Sequence, residues 1–280
     1  MIKYNEVTIQ RILNPTSIDL GEFVINPYKG CVFGCEYCYV RSNRVVQNRK
    51  DPWGSWVDIR VNAVQQLKKE IEKKRPRTVL LGSTTEVFQP VERTRRLTGQ
   101  ILELLNAYTV HYVILTRSPV ILDYIDILKK GFCDAVYFTV NSFSDRLKKK
   151  LEPCSPAFDA RFDAVDILLQ NSIPVIPYLS PALPWITDCD TVFERLKNAP
   201  RLDCECLNFH LSRIGAVFDL IGKEDPELLK KYLRMQAEPE YYAKVWQVFR
   251  RRVEDEAAKR NRISHVFVHE YRKFFENQYK

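Results

Sequence analysis

Three cysteines within eight positions are the residues of this sequence best suited to chemistry. They are Cys31, Cys35 and Cys38, in the segment "NPYKGCVFGCEYCYVR" at residues 26–41. A structural zinc site normally needs four protein ligands. This loop supplies three, and the nearest histidine is His111. Three thiolates can instead bind three irons of a [4Fe–4S] cluster, which leaves the fourth iron open to a ligand from outside the protein.

The other cysteines and the hydropathy pattern indicate the compartment. No apolar run approaches the ~20 residues that cross a bilayer, and the N-terminus lacks the apolar region of a secretory signal. We therefore expect a cytoplasmic protein with no membrane contact, in which clustered cysteines are metal-binding or catalytic and do not form a disulfide framework. The scattered cysteines are interpreted as small buried apolar residues; they are Cys133, Cys154, Cys189, Cys204 and Cys206.

The composition is that of a globular protein with a basic excess. The 280 residues include 43 Lys and Arg against 35 Asp and Glu, a formal charge of +8. This excess favours an anionic partner such as nucleic acid, a nucleotide or a phosphorylated metabolite. The 45% hydrophobic content and the 9 glycines exclude a disordered or fibrous chain.

Short apolar runs alternate with helical periodicities as far as Leu211. Helices lie between the runs, and the spacing of Val57, Val61, Val64, Leu67 and Ile71 predicts the first helix, ended by Pro76. The alternation predicts βαβ units and a parallel sheet, either open or curled into part of a barrel. The predicted strands are "FVI" (23–25), "TVLLGS" (78–83), "VHYVILT" (110–116), "AVYFTVN" (135–141), "IPVIPYLS" (173–180) and "CECLNFHL" (204–211).

Beyond Leu211 the pattern changes. "PELLKKYLRMQ" and "EYYAKVWQVFRRRVEDEAAKR" are typical of helices with charged faces, and "ISHVFVHEYRKFFENQY" is a mixed tail. No Pro/Gly/Ser-rich linker precedes them. We predict a core at 1–211, with the cysteine loop at 26–41, and a helical C-terminal extension at 212–280 packed on that core.

Strand alternation selects candidate interior residues. In "AVYFTVN", Tyr137, Thr139 and Asn141 share one face. In "CECLNFHL", one face carries Cys204, Cys206, Asn208 and His210. The apolar faces should pack against the helices, so both polar sets are predicted to point away from the helices, into the lumen that a curled sheet encloses. Thr139 and Asn141 would then contact a cofactor, while Cys206, Asn208 and His210 would contact substrate or only fill the lumen.

The cysteine loop, placed after the first strand of a β/α protein, resembles that of the radical SAM superfamily. It is similar to the "NPYxGCxxxCxYCYxR" loop of the spore photoproduct lyase-like, or DNA repair photolyase-like, branch. Further matches follow in the branch's order and extend to about residue 190. They are "GSTTEVFQPVERTRRLT", "LTRS" (115–118), "FTVN" (138–141), "LEPCSPAFDAR" and "IPVIPYLSPALPWITD".

The resemblance implies a partial (β/α)6, TIM-like barrel of the radical SAM type. It implies that Cys31, Cys35 and Cys38 bind a [4Fe–4S] cluster whose open iron is chelated by S-adenosylmethionine (SAM). It further implies cofactor-binding residues, which are Tyr37 against the adenine, Glu86 at the SAM amino group, Arg117 at the SAM carboxylate, Thr139, Asn141 and Arg161. In this chain Glu86 replaces the branch's Asp, Phe88 its Tyr and Arg117 its Lys.

The activity expected from this resemblance is reductive cleavage of SAM to a 5′-deoxyadenosyl radical that abstracts hydrogen from substrate. An external one-electron reductant, flavodoxin- or ferredoxin-like, would supply the electron. A lyase-like role in nucleic-acid repair or modification is the first expectation, with Cys206 as a candidate hydrogen-atom donor. Two alternatives stay open: a radical SAM enzyme acting on a peptide or small metabolite, and a non-catalytic nucleic-acid-binding protein with a structural metal.

Overall fold

Strands and helices alternate through most of the chain. The computed structural model describes residues 2–211 and 213–271. The strands are β1 (Lys3–Val7), β2 (Asn14–Pro15), β3 (Phe23–Ile25), β4 (Tyr28–Lys29), β5 (Trp56–Arg60), β6 (Thr78–Leu81), β7 (His111–Thr116), β8 (Cys133–Val140), β9 (Val175–Ala182), β10 (Arg201–Cys206) and β11 (Ile263–Phe267).

Helices occupy most of the segments between these strands. They are α1 (Arg44–Gln47), α2 (Ala63–Lys74), α3 (Glu92–Arg95), α4 (Leu97–Ala107), α5 (Ile125–Lys129), α6 (Asp145–Leu151), α7 (Phe158–Gln170), α8 (Cys189–Arg195), α9 (Ile214–Glu224), α10 (Pro226–Ala237) and α11 (Pro239–Lys259), with 3-10 helices at Tyr39–Ser42 and Pro119–Tyr124. In the described part of the chain, none is both long and apolar enough to cross a bilayer.

The chain divides into two compact units, and the division falls inside the cysteine loop. The first unit contains the residues up to Gly34, Arg49–Thr139 and Cys154–Ile176. The second contains Cys35–Asn48, Val140–Pro153 and the residues from Pro177 onward. Cys31 therefore belongs to the first unit, and Cys35 and Cys38 belong to the second.

A parallel sheet forms the centre of the first unit. β3, β6, β7 and β8 pair in parallel in that order, and the short β2 adds antiparallel to β3. Continuous apolar runs such as "TVLL" in β6 are typical of strands covered on both faces. One residue from each parallel strand contributes to a single buried layer, which is Val24, Leu80, Val113 and Ala135.

A second, three-stranded sheet in the first unit follows the N-terminus. β1 pairs in parallel with β5, and β4 pairs antiparallel with the other edge of β5. This corrects the predicted first helix, because Trp56–Arg60 is a strand and α2 begins only at Ala63. The three-to-four spacing from Val57 to Ile71 runs across both β5 and α2. The helix was therefore predicted to begin several residues before its actual start.

In the second unit β9, β10 and β11 pair in parallel. α9, α10 and α11 lie between β10 and β11, which agrees with the helical character predicted after Leu211. The strand β11 in the predicted mixed tail was missed. The proposed domain division at residue 211 stays a prediction. The predicted α/β class, with parallel strands separated by helices, is confirmed.

Candidate active site

The three cysteines follow β4, the short strand at the start of the cysteine loop. Cys31 and Cys38 are half-buried and Cys35 is buried. In the second unit the Cys38 amide donates to the Cys35 carbonyl at 3.3 Å, which closes a turn. The 3-10 helix Tyr39–Ser42 begins directly after Cys38. The turn and the short helix thus fix the backbone around the second and third thiols.

In the first unit the connection after β6 is hydrogen-bonded to the beginning of the loop. The Thr85 hydroxyl donates to the Gly30 carbonyl at 2.5 Å. The Gln89 side-chain oxygen accepts from the Val32 amide at 3.2 Å. Both Thr85 and Gln89 are buried. Thr85 and Gln89 both belong to the segment "GSTTEVFQPVE". This segment therefore fixes the backbone on either side of Cys31.

A buried carboxylate strengthens this attachment. Glu92 is fully buried and accepts hydrogen bonds from the hydroxyls of Tyr28 and Tyr124. It also accepts the backbone amides of Thr98 and Gly99 at 3.1 and 3.0 Å. Tyr28 lies in β4, three residues before Cys31. Glu92 therefore connects the strand that enters the cysteine loop with the start of α4.

Gly30 makes a close approach that no other residue could make. Its φ is +88°, and a Cβ there would lie 2.5 Å from the Trp56 carbonyl oxygen and 2.6 Å from the Trp56 ring. Both the left-handed backbone and the contact with β5 exclude a side chain. The loop therefore begins pressed against the three-stranded sheet.

The Gly30→Ala substitution is expected to destabilise the protein by about 2–4 kcal/mol, because strain at positive φ adds to a clash with backbone. Urea unfolding measures this. Gly215→Ala is the matched control, since nothing lies within 4 Å of a Cβ at Gly215 in α9. It should be neutral or slightly stabilising. Equal stability of the two variants would contradict the close approach at Gly30.

The structure brings two predicted SAM residues, Glu86 and Arg117, together at the end of β7. The buried Glu86 carboxylate accepts from the Thr116 hydroxyl at 2.6 Å and from the Arg117 and Phe88 amides at 3.0 Å each. Burial raises the pKa of the Glu86 carboxyl above its usual value, although these donors oppose the shift. Glu86 therefore fixes the backbone from which the half-buried Arg117 side chain extends.

Tyr37 is held by a second buried carboxylate. In the second unit its hydroxyl donates to Glu152, which is fully buried at the end of α6. The Glu36 amide donates to the Leu151 carbonyl at 2.8 Å, and the Glu36 carboxylate pairs with Arg41 at 2.9 Å. These contacts fix the orientation of the Tyr37 ring beside Cys38.

Two further predicted cofactor residues, Thr139 and Asn141, lie at the end of β8 but differ in burial. Thr139 is half-buried in β8, on the face that also carries Tyr137. Asn141 is fully buried, donates to the Pro181 carbonyl at 2.7 Å and accepts from Thr187 at 3.1 Å. Its amide therefore connects the end of β8 to the segment after β9.

Arg161, in α7 of the first unit, is also fully buried. Its guanidinium donates to the Ser155 hydroxyl at 2.7 Å and to the Pro156 carbonyl at 2.9 Å. These bonds tie α7 to the segment that precedes it.

The predicted face of β10 is wrong. The strand ends at Cys206, so its alternation does not reach Asn208 or His210. The thiols of Cys204 and Cys206 are buried, and their electrostatic neighbours include Cys189 of α8 and Tyr242 of α11 respectively. Burial raises the pKa of both thiols.

The opposite face of β10 presents Glu205, which sequence reasoning did not select. Its carboxylate accepts from Ser180 at 2.7 Å and pairs with His269 at 3.3 Å. Burial would raise the pKa of Glu205, but the hydrogen bonds from His269, Ser180 and Tyr178 outweigh it and keep that pKa below its usual value. The role of Cys206 as a hydrogen-atom donor stays a prediction.

A basic group adjoins the loop in the first unit. Lys29 precedes Gly30 and lies opposite Asp58 in the β4–β5 pairing. Arg49 pairs with both oxygens of Asp58 at 2.7 and 3.0 Å and stacks over the Trp56 ring at 3.7 Å. Arg60 donates to the Asn26 carbonyl at 2.8 Å. Burial lowers the pKa of Lys29 and of Arg60.

The donor chemistry of the loop fits an iron–sulfur cluster. Thiolates are the usual cluster ligands, and Gly30 lets the backbone turn sharply into the first of them. Among the residues that the structure describes, no three His, Cys, Asp or Glu side chains are grouped as a metal site. The assignment of Cys31, Cys35 and Cys38 therefore rests on their residue type and on the loop that carries them.

Known proteins resemble the chain over the region just described. The profile of the Radical SAM superfamily matches residues 25–195. The uncharacterized protein MJ0683 of Methanocaldococcus jannaschii is 32% identical over 197 residues, which cover 70% of this chain and 74% of that protein. The match to MJ0683 therefore extends over most of both chains.

Solved structures share the fold at low identity. Spore photoproduct lyase complexed with dinucleoside spore photoproduct superposes with a TM-score of 0.58 and 15% identity, over 80% of this chain and 66% of that one. Streptococcus suis SuiB bound to S-adenosylmethionine superposes with a TM-score of 0.52 and 12% identity, over 94% of this chain and 51% of SuiB. The chain thus spans slightly less than two thirds of the lyase and about half of SuiB.

Proposed function

This chain belongs to the radical SAM superfamily, and on that basis we propose that it cleaves SAM at a [4Fe–4S] cluster bound by Cys31, Cys35 and Cys38. Membership of this superfamily supports an enzyme that uses an iron–sulfur cluster and SAM. When bound, the cluster supplies the electron that splits SAM into methionine and a hydrogen-abstracting 5′-deoxyadenosyl radical. The observation that carries the proposal is the loop of three thiols, held from one side by Thr85 and Gln89.

The chain's own residues would bind and orient SAM. We assign Arg117 to the SAM carboxylate, because Glu86 fixes its backbone at the end of β7. The Glu86 oxygens already accept three internal donors, so positioning Arg117 suits this residue better than direct contact with the SAM amino group. Tyr37, with its hydroxyl fixed by Glu152, would present its ring to the adenine.

Thr139, Asn141 and Arg161 complete the proposed cofactor set. Thr139 is half-buried and offers a hydroxyl, whereas Asn141 and Arg161 are hydrogen-bonded within their units and would act by holding the surrounding backbone. The electron would come from an external flavodoxin- or ferredoxin-like protein.

For the substrate we propose nucleic acid, in a lyase-like repair or modification reaction. Three observations support this choice. The chain carries a charge of +8, and a basic group adjoins the start of the cysteine loop. The spore photoproduct lyase that shares the fold binds a dinucleoside.

The test of substrate class is stimulation of SAM cleavage. The anaerobically reconstituted protein would be given reductant and SAM, then DNA, RNA or a mixture of peptides. We expect nucleic acid to increase 5′-deoxyadenosine formation and to bind with an affinity that falls steeply between about 50 and 200 mM salt. Stimulation by peptides alone would reassign the substrate and leave the cofactor chemistry intact.

A further inference from the structure

The basic group beside the cysteine loop contains more positive charge than the structure neutralises. We define the Lys29 cluster as Lys29, Arg49 and Arg60, all in the first unit, around Asp58. Trp56, Asp58 and Arg60 alternate along β5 and so share one face of the small sheet. Lys29 lies directly opposite Asp58 on the neighbouring strand and therefore projects from the same face.

Asp58 is fully engaged by other partners. Arg49 takes both carboxylate oxygens, and Asn5 donates to one of them at 2.8 Å. Arg49 also pairs with Asp51 at 3.3 Å, and Lys3 pairs with Asp51 at 3.7 Å. Four cations thus face two carboxylates, because the set comprises Lys3, Lys29, Arg49 and Arg60 against Asp51 and Asp58.

The two cations left over, Lys29 and Arg60, both adjoin the start of the loop, since Lys29 is two residues before Cys31 and Arg60 donates to the Asn26 carbonyl. Arg60 donates to a neutral carbonyl and has no carboxylate partner among the described residues. The Lys29 ammonium makes no hydrogen bond or ion pair in the described part of the chain, although the residue is partly buried. Its attraction to Asp58 is opposed by repulsion from Arg60 and Arg49, and burial lowers its pKa. Half-buried cations that repel one another cost stability unless an anion completes them.

We propose that Lys29 and Arg60 bind a backbone phosphate of the nucleic-acid substrate, with Arg49 and Asp58 fixing the geometry of the site. This inference rests on the proposed nucleic-acid function and names a contact that the substrate makes. A phosphate offers several acceptor oxygens to an ammonium and a guanidinium at once. Because Lys29 is two residues from Cys31, a bound phosphate would place the neighbouring nucleotides beside the cysteine loop.

An acidic reductant protein is the main competing occupant. The partly buried position of Lys29 and Arg60 favours a compact anion, which can enter between them, over carboxylates on a broad protein surface. Experiments can distinguish binding of a phosphate at this site from binding of an acidic reductant protein.

The first test measures the salt dependence of binding to a single-stranded oligonucleotide of about 20 nucleotides. Lys29→Gln should weaken binding of all sequences alike and reduce the slope of log K against log[salt] by about 0.7, the value of one lost phosphate contact. Lys29→Arg should retain the slope. Lys69→Gln is the matched control, since Lys69 is exposed on α2 in the same unit and carries the same charge; its slope should equal that of the wild type.

The second test needs no activity. Sodium phosphate, compared with chloride at equal ionic strength, should raise the Tm of the wild type and of Lys69→Gln but not that of Lys29→Gln. Without phosphate, Lys29→Gln should melt at or slightly above the wild-type Tm, because it removes a partly buried charge whose desolvation no ion pair offsets. A lower Tm would make Lys29 a structural residue and overturn the proposal.

The outcomes separate this inference from the proposed function. Oligonucleotide binding with equal slopes for Lys29→Gln and the wild type overturns the phosphate site and leaves the nucleic-acid function standing. No binding by the wild type overturns both, while SAM cleavage remains measurable alone. If a ferredoxin-like donor reduces the Lys29→Gln protein more slowly, while the salt dependence of oligonucleotide binding is unchanged, the Lys29 cluster is a binding site for the reductant protein. That result overturns the inference.

Discussion

Replacement of Cys35 by alanine is expected to remove the bound iron and to lower 5′-deoxyadenosine formation by more than about 100-fold. Even residues that only support metal ligands cost 10–100-fold when lost, so a direct ligand should cost more. The same result is expected for Cys31 and Cys38. Iron and sulfide content after anaerobic reconstitution, together with visible absorbance, measures the cluster independently of activity.

Cys154→Ala provides the control for this substitution. Cys154 is exposed and lies outside the loop, so its removal should leave iron content and SAM cleavage unchanged. Full iron loading in Cys35→Ala would show that this thiol is not a cluster ligand. Loss of iron in Cys154→Ala as well would show that the assay reports thiol damage and not ligation.

Replacement of Glu92 by alanine is expected to destabilise the protein by about 3–5 kcal/mol. The change leaves two tyrosine hydroxyls and two backbone amides without their buried acceptor. Glu92→Gln should cost less, because it retains one acceptor oxygen. Urea unfolding of the purified proteins measures both effects.

The matched control for Glu92 is Glu103, in the next helix, α4. Glu103 is exposed in α4 and pairs with Arg96 only at 4.0 Å, so Glu103→Ala should change stability by no more than about 0.5 kcal/mol. If Glu92→Ala were as mild as Glu103→Ala, the connection from Tyr28 through Glu92 to α4 would not support the loop.

The sequence predicted the parallel strands because their signals are local. Runs such as "TVLL" and "HYVILT" are long, apolar and bounded by helices. The three-stranded sheet was missed because β4 is two residues long and β5 contains the buried charge of Asp58. Arg49 and Asn5 satisfy that buried carboxylate, and such pairing is not visible in a hydrophobic pattern.

The candidate site shows the same limit. Residue type and spacing were enough to select the three cysteines. The residues that hold the loop were not selected, because Thr85, Gln89 and Glu92 meet it across more than 50 residues of chain. Glu152 meets Tyr37 across 115 residues. The face of β10 was misassigned because cysteine is apolar enough to pack beneath helices, whereas Glu205 on the opposite face is satisfied by Ser180 and His269.

The most direct test of the account is SAM cleavage by the purified protein. After anaerobic reconstitution with iron and sulfide, the protein would be reduced with dithionite and given SAM. We predict that 5′-deoxyadenosine and methionine form in equal amounts, and that Cys35→Ala forms neither. Stoichiometric zinc in place of iron, or intact SAM under conditions in which a control radical SAM enzyme turns over, would contradict the proposed chemistry.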